Sequence, residues 1–147
     1  MKGIDYVLNE LRLQDIDVHR VNNVSNDCVI RLNNQNEIKI KILTIRAKSD
    51  TNSAAHFTQV KPKQNEFILF YASEVGDCGT YWIFSSVELD KLTNDKTVQY
   101  VNDYANGIDI DLAEKKEGRA CPKSQFYSYE VDLSNLLDRL RAKKTIQ

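Results

Sequence analysis

Glycine and proline are scarce, with five and two residues in a chain of 147. So few glycines leave no phosphate-cradling loop, and G-x-x-x-x-G-K, G-x-G-x-x-G, G-x-S-x-G and H-E-x-x-H are all absent. Nucleotide-dependent chemistry, the α/β-hydrolase reaction and zinc proteolysis are thereby disfavoured. Cysteine is limited to Cys28, Cys78 and Cys121, an odd number with no C-x-x-C pair, and the only histidines are His19 and His56. Free thiols and no structural zinc are expected. No apolar run approaches the ~20 residues that span a bilayer, and Met1-Lys2-Gly3-Ile4-Asp5 lacks a secretory apolar stretch. A soluble, cytoplasmic protein with no membrane partner is the expectation.

The composition, 41% hydrophobic and 28% charged, is that of one globular domain that folds without a disulfide or metal staple. Ile4, Val7, Leu8 and Leu11 recur at i, i+3, i+4 and i+7, which predicts a first helix to about Leu13. The stretches 17–21, 27–32 and 37–46 are β-branched with period-two alternation and predict three strands. Asn33-Asn34-Gln35-Asn36 makes the second and third a hairpin, since Asn tolerates left-handed backbone angles. After a polar loop from Lys48 to Ser53, Phe67-Ile68-Leu69-Phe70-Tyr71 is continuously apolar, as in a strand covered on both faces. Tyr81-Trp82-Ile83-Phe84 should pair with it.

Ser85 and Glu88 have capping-box spacing ahead of Leu89 and Leu92, which predicts a short helix. Val98, Val101, Tyr104 and Ala105 suggest a further helix within 94–107, and 111–124 reads as an exposed loop. The stretch 126–131 alternates as a strand. Leu133, Leu136, Leu137 and Leu140 then close the chain as a helix capped by Asp132. The fold class expected is α/β of the α+β kind, a central mixed sheet of about five strands flanked by N-terminal and C-terminal helices. A core over 1–92 would carry a C-terminal extension over 93–147.

The net charge is −1, but it is segregated. From 39 to 63, Lys39, Lys41, Arg46, Lys48, Lys61 and Lys63 face a single acid, Asp50, so that segment is +5. Asp103, Asp109, Asp111, Glu114 and Glu117 make 103–117 acidic despite Lys115 and Lys116. The basic segment could meet phosphates, with Lys39 and Lys41 alternating with isoleucines and Arg46 and Lys48 extending the row unless a bulge intervenes. The acidic segment offers a surface for a protein partner.

The order helix, strand, Asp-bearing strand, hairpin, basic strand, buried strand, aromatic strand and Ser-capped helix resembles the PD-(D/E)XK nuclease superfamily, the restriction-endonuclease-like fold. The resemblance spans about 1–92 and rests on Asn26-Asp27, on the strand from Ile38 to Arg46, and on Glu66-Phe67-Ile68-Leu69-Phe70 followed by Tyr81 to Ser86. It implies DNA as partner, with two acids holding Mg²⁺ and a lysine orienting the attacking water. Taken literally, Asp27 and Glu37 would be the metal ligands and Lys39 the lysine, with Asn26 where the family usually has Pro. Glu114-x-Lys116 repeats the acid-x-Lys spacing, so the triplet alone discriminates little.

Strand alternation argues against that literal set. Cys28, Ile30 and Leu32 must share a face with Ile38, Ile40 and Ile42, because a slip of one residue would flip every side chain. With a turn centred near Asn34, Arg31 then stands opposite Glu37, Val29 opposite Lys39 and Asp27 opposite Lys41, leaving Asp27 and Glu37 ~13 Å apart along the strands, unless a bulge or a different turn shifts the hairpin by two residues and restores the literal set. Lys41 occupies the position where the family has Glu or Gln, and Leu43 the position of its lysine. The reading that follows is a DNA-binding protein of nuclease-like fold with weakened or lost catalysis, resting on Lys39, Lys41, Arg46, Lys48, Lys61 and Lys63. The alternatives are an active Mg²⁺-dependent endonuclease and an interaction module, with a protein partner or a homodimer. Glu10, His19 and His56 are further candidate acids or bases. Cys28 falls on the core face, where a thiolate is costly, and Tyr127 and Tyr129 could stack bases or pack the closing helix.

Overall fold

The computed structural model describes residues 3–33, 36–48, 54–57, 65–75, 79–94, 101–102, 107–111 and 129–146. Helix α1, Ile4–Leu13, buries Val7, Leu8 and Leu11, the stripe its periodicity marks out. It ends in a turn where Asp15 adopts a left-handed φ of 60°, a conformation short polar side chains tolerate. Strands β1 (Asp17–Arg20), β2 (Asp27–Arg31) and β3 (Glu37–Lys48) follow as an antiparallel meander. After β4 (Ala54–Phe57) come β5 (Phe67–Glu74) and β6 (Thr80–Ser85).

Helix α2, Ser86–Asn94, starts at the expected capping box: the Ser85 N–H donates to Glu88 Oε1 (2.9 Å) and the Glu88 N–H to Ser85 Oγ (3.1 Å). Val101–Asn102 and Gly107–Asp111 form strands β7 and β8. Within the helix expected over 94–107, Val101, Asn102 and Gly107 are strand instead, with Val101 and Asn102 laddering against Ile108 and Gly107, while 95–100 and 103–106 lie outside the described residues. Cross-strand pairing satisfies the β-branched content that the helical spacing disguised. β8 and β4 are likewise strands the sequence reading did not contain. Glu130–Val131 is β9, the described part of the strand expected over 126–131. Asp132 accepts the Ser134 N–H (3.0 Å) to start a 3₁₀ turn, Leu133–Asn135, which runs into α3, Leu136–Ile146.

The main sheet is mixed and has six strands in the order β1-β2-β3-β5-β6-β9, parallel only between β3 and β5. This is the mixed sheet of about five strands that was expected, with β9, paired onto Tyr81 and Trp82, as its edge. α1 and α3 pack on one face, around Cys28, Ile30, Ile38, Ile40, Ile42, Leu69 and Ile83. On the other face, Ile68, Phe70, Trp82 and Phe84 are covered by α2 through Leu89 and by β4 through Phe57, whose ring lies 4.5 Å from that of Phe70. β4 belongs to a second sheet, β4-β8-β7. Phe67 to Tyr71 are completely buried, as five consecutive large apolar residues require. Among the described residues, no helix is long and apolar enough to cross a membrane.

β3 joins the two halves of the sheet. Its first part, Glu37 to Lys41, pairs with β2, and its later part, from Ile40 onward, pairs with β5. Both neighbours therefore begin beside the middle of β3. Asp27 opens β2 on one side, and Asn65 and Glu66 precede β5 on the other.

Candidate functional site

The register places Asp27 opposite Lys41, Val29 opposite Lys39 and Arg31 opposite Glu37. Asp27 and Glu37 are thus four residues apart along the ladder, ~13 Å at ~3.3 Å per residue, too far to share a metal ion. Glu37 instead faces Arg31, with Arg31 Nη2 3.5 Å from Glu37 Oε1. Among the described residues, no three His, Cys, Asp or Glu side chains are grouped so as to hold a metal ion.

At Asp27, Ser25 Oγ donates to Oδ2 (2.9 Å) and Asn65 Nδ2 to Oδ1 (3.0 Å), and Lys41 Nζ lies 3.2 Å from Oδ1. Lys41 is well covered, with 11% of its side chain exposed, and Asp27 keeps 34%. Burial pushes the Asp27 carboxyl up. Hydrogen bonds from Asn65, Ser25 and Lys41, and the Lys41 charge, outweigh it and hold the group below its ordinary range. Both oxygens of Asp27 are engaged, and an ammonium stands where a second carboxylate would be needed. As arranged, these residues do not fit a Mg²⁺ ion shared by Asp27 and Glu37.

Glu66 stabilises the same junction through the backbone. Its N–H donates to the Lys39 carbonyl, and its Oε2 accepts the Lys39 N–H, both at 2.9 Å. The Glu66 side chain thus extends the ladder beyond the start of β5. The Lys39 side chain is exposed. Ser25 and Asn65 were absent from the sequence reading, and Glu66 entered it only at the head of the buried strand, with no role of its own. Ser25 was within reach as a local S-x-D pattern, whereas Asn65 acts across 38 positions and carries no local signal.

The basic row is not continuous. Lys41 is bound to Asp27, and Arg46 Nε donates to Glu74 Oε2 (2.8 Å). Residue 46 is out of step with 39 and 41 in a period-two strand, and the register shifts between Ile45 and Lys48, which brings Lys48 opposite Glu74. Lys61 and Lys63 lie outside the described residues, as do Tyr127, Cys78, Cys121 and much of 103–117. His56 is on β4, opposite Asp109 of β8. His19 Nε2 lies 2.6 Å from Asp17 Oδ1 on β1.

Glu10 does not join Asp27. It rides on α1, over the face that carries Cys28, whereas Asp27 alternates with Cys28 and points the other way. There it lines a groove of about 680 Å³ with Tyr6, Gln14, Tyr81 and Arg139 among others. The Cys28 thiol is buried and its pKa is pushed up to about 11, mainly by that burial, which removes it as a nucleophile at neutral pH. Tyr129 stacks on Phe84 at 4.3 Å beneath Lys143, and so packs the closing helix.

The architecture is similar to that of a solved bacterial homing endonuclease, I-Ssp6803I, with a TM-score of 0.56 at 13% sequence identity. The match covers 96% of this chain and 90% of that one. No protein-family model and no curated protein matches the sequence. The chain therefore has a nuclease-like α+β fold, a mixed six-stranded sheet with flanking helices.

Proposed function

We propose that the chain is a cytoplasmic DNA-binding protein whose nuclease-like fold is of the PD-(D/E)XK kind, with phosphodiester cleavage weakened or lost at Asp27. The observation that carries the reading is the pairing of Asp27 with Lys41. In a cleaving site of this kind a carboxylate at position 41 would join Asp27 on Mg²⁺; here an ammonium neutralises Asp27 and repels a divalent cation. The endonuclease of similar fold supports DNA as the partner, and the later part of the basic segment supplies phosphate contacts through Arg46, Lys48, Lys61 and Lys63.

Two measurements on the full chain test this. Fluorescence anisotropy with duplex DNA across a salt series should give a steep negative slope of log K on log salt. Supercoiled plasmid incubated with Mg²⁺ or Mn²⁺ should stay intact. Nicking that EDTA stops and Asp27→Asn abolishes would favour an active Mg²⁺-dependent endonuclease centred on Asp27. Absence of binding at ~50 mM salt would favour an interaction module contacting a protein partner, or a second copy, through 103–117.

A further inference from the structure

The open face of the β1-β2-β3 meander has no counterpart in the phosphate contacts above. One side of these strands buries Val18, Cys28, Ile30, Ile38 and Ile40 beneath α1. The other side shows three cross-strand rows. Asp17, Arg31 and Glu37 form the first, and His19, Val29 and Lys39 the second. In the third, Val21 donates its N–H to the Asp27 carbonyl (2.9 Å), and Asp27 faces Lys41. Asp17, His19, Val21, Arg31, Glu37 and Lys39 are all exposed.

We propose that this face enters the DNA major groove and reads base edges, an inference that rests on the DNA-binding reading and assigns it a specificity surface. Three strands ~4.8 Å apart make a ribbon ~10 Å across, and rows two residues apart extend it ~13 Å, which suits a groove ~12 Å wide. Charge separates base reading from phosphate clamping. Asp17, Asp27 and Glu37 balance Arg31, Lys39 and Lys41, so the patch has no net attraction for the backbone. It offers side-by-side donors and acceptors of the kind that discriminate bases: Arg31 and Lys39 for guanine, the acids for the cytosine amino group, and the methyls of Val21 and Val29 for thymine. With only two valines among its nine positions, it lacks the apolar centre of a protein interface.

The test begins with selection from randomised duplexes by the full-length protein. Affinities for the selected and a scrambled duplex are then compared for wild type and for His19→Ala/Arg31→Ala/Lys39→Ala, with folding checked by Trp82 fluorescence. The expected result is at least roughly tenfold loss of preference for the selected duplex, with the salt slope changed by less than about one unit. If the triple variant fails to fold, the single variants Lys39→Ala and His19→Ala are read in the same way. A slope reduced by about two units with preference intact would assign these side chains to phosphates and overturn the proposal. No enriched sequence, or a variant that discriminates as wild type does, overturns it while leaving DNA binding standing. No DNA binding by the wild type at ~50 mM salt overturns the binding reading and this surface with it.

Discussion

Breaking the Asp27–Lys41 pair should cost stability in an asymmetric way. Asp27→Asn leaves the Lys41 ammonium, 11% exposed, beside a neutral amide. A fully buried pair broken on one side costs ~3–5 kcal/mol, but the aspartate is about a third exposed and asparagine still offers an oxygen, so about 2 kcal/mol is expected. Lys41→Met leaves Asp27 with its Ser25 and Asn65 donors and access to water, which points to about 1–2 kcal/mol. The double variant should cost less than the sum by about 1 kcal/mol, the signature of direct coupling. Urea unfolding followed through Trp82, the single tryptophan and 1% exposed, measures all three. The sign with pH follows from the lowered carboxyl. Its contribution is present above the unfolded value of ~3.9 and is lost as pH falls through the lower folded value, so wild type and Asp27→Asn should converge towards pH 2. Strict additivity, or single costs below ~0.5 kcal/mol, would refute the coupling and reopen Asp27 to other roles.

Gly79→Ala should destabilise by about 2–4 kcal/mol, because its φ is +82° and a Cβ would meet the buried Tyr71 ring at 2.5 Å; an unchanged urea midpoint would show that this approach is not retained in solution. Glu88→Gln should cost about 1–2 kcal/mol at neutral pH, since Lys143 Nζ lies 2.5 Å from Glu88 Oε1. Burial raises the Glu88 carboxyl, but Lys143 and Ser85 bring it below its ordinary value, so that stability is present above ~4.3 and fades as pH falls through the lower folded value; a cost that persists at pH 2 would contradict the pairing. Cys28 should resist iodoacetamide at pH 8 until the chain unfolds, with peptide mapping as the readout, and alkylation at the rate of a free cysteine would contradict its burial.

The sequence by itself determined the elements whose signals are local and repeated. The leucine and valine stripe of α1, the isoleucine alternation of β3, the apolar run of β5 and the Ser85–Glu88 capping box each place many mutually consistent residues in a short window. Register is the strongest case. Two alternating strands with one buried face admit a single parity, and with the turn centred near Asn34 that parity gives the facing of Asp27 and Lys41, and the separation of Asp27 from Glu37, before any coordinates. Tertiary structure decided what local pattern cannot encode. β4, β7 and β8 are short strands whose pairing partners lie far along the chain or were masked by helical spacing, and the register shift between Ile45 and Lys48 sets Lys48 opposite Glu74. Asn65 reaches Asp27 only because β5 runs parallel to β3 and starts beside its middle, which adds a distant donor to the local one from Ser25 on a carboxylate that the β2–β3 ladder pairs with a lysine rather than with a second acid. The free energy of that arrangement comes from contacts between residues distant in sequence, and their geometry exists only once the sheet has closed around β3.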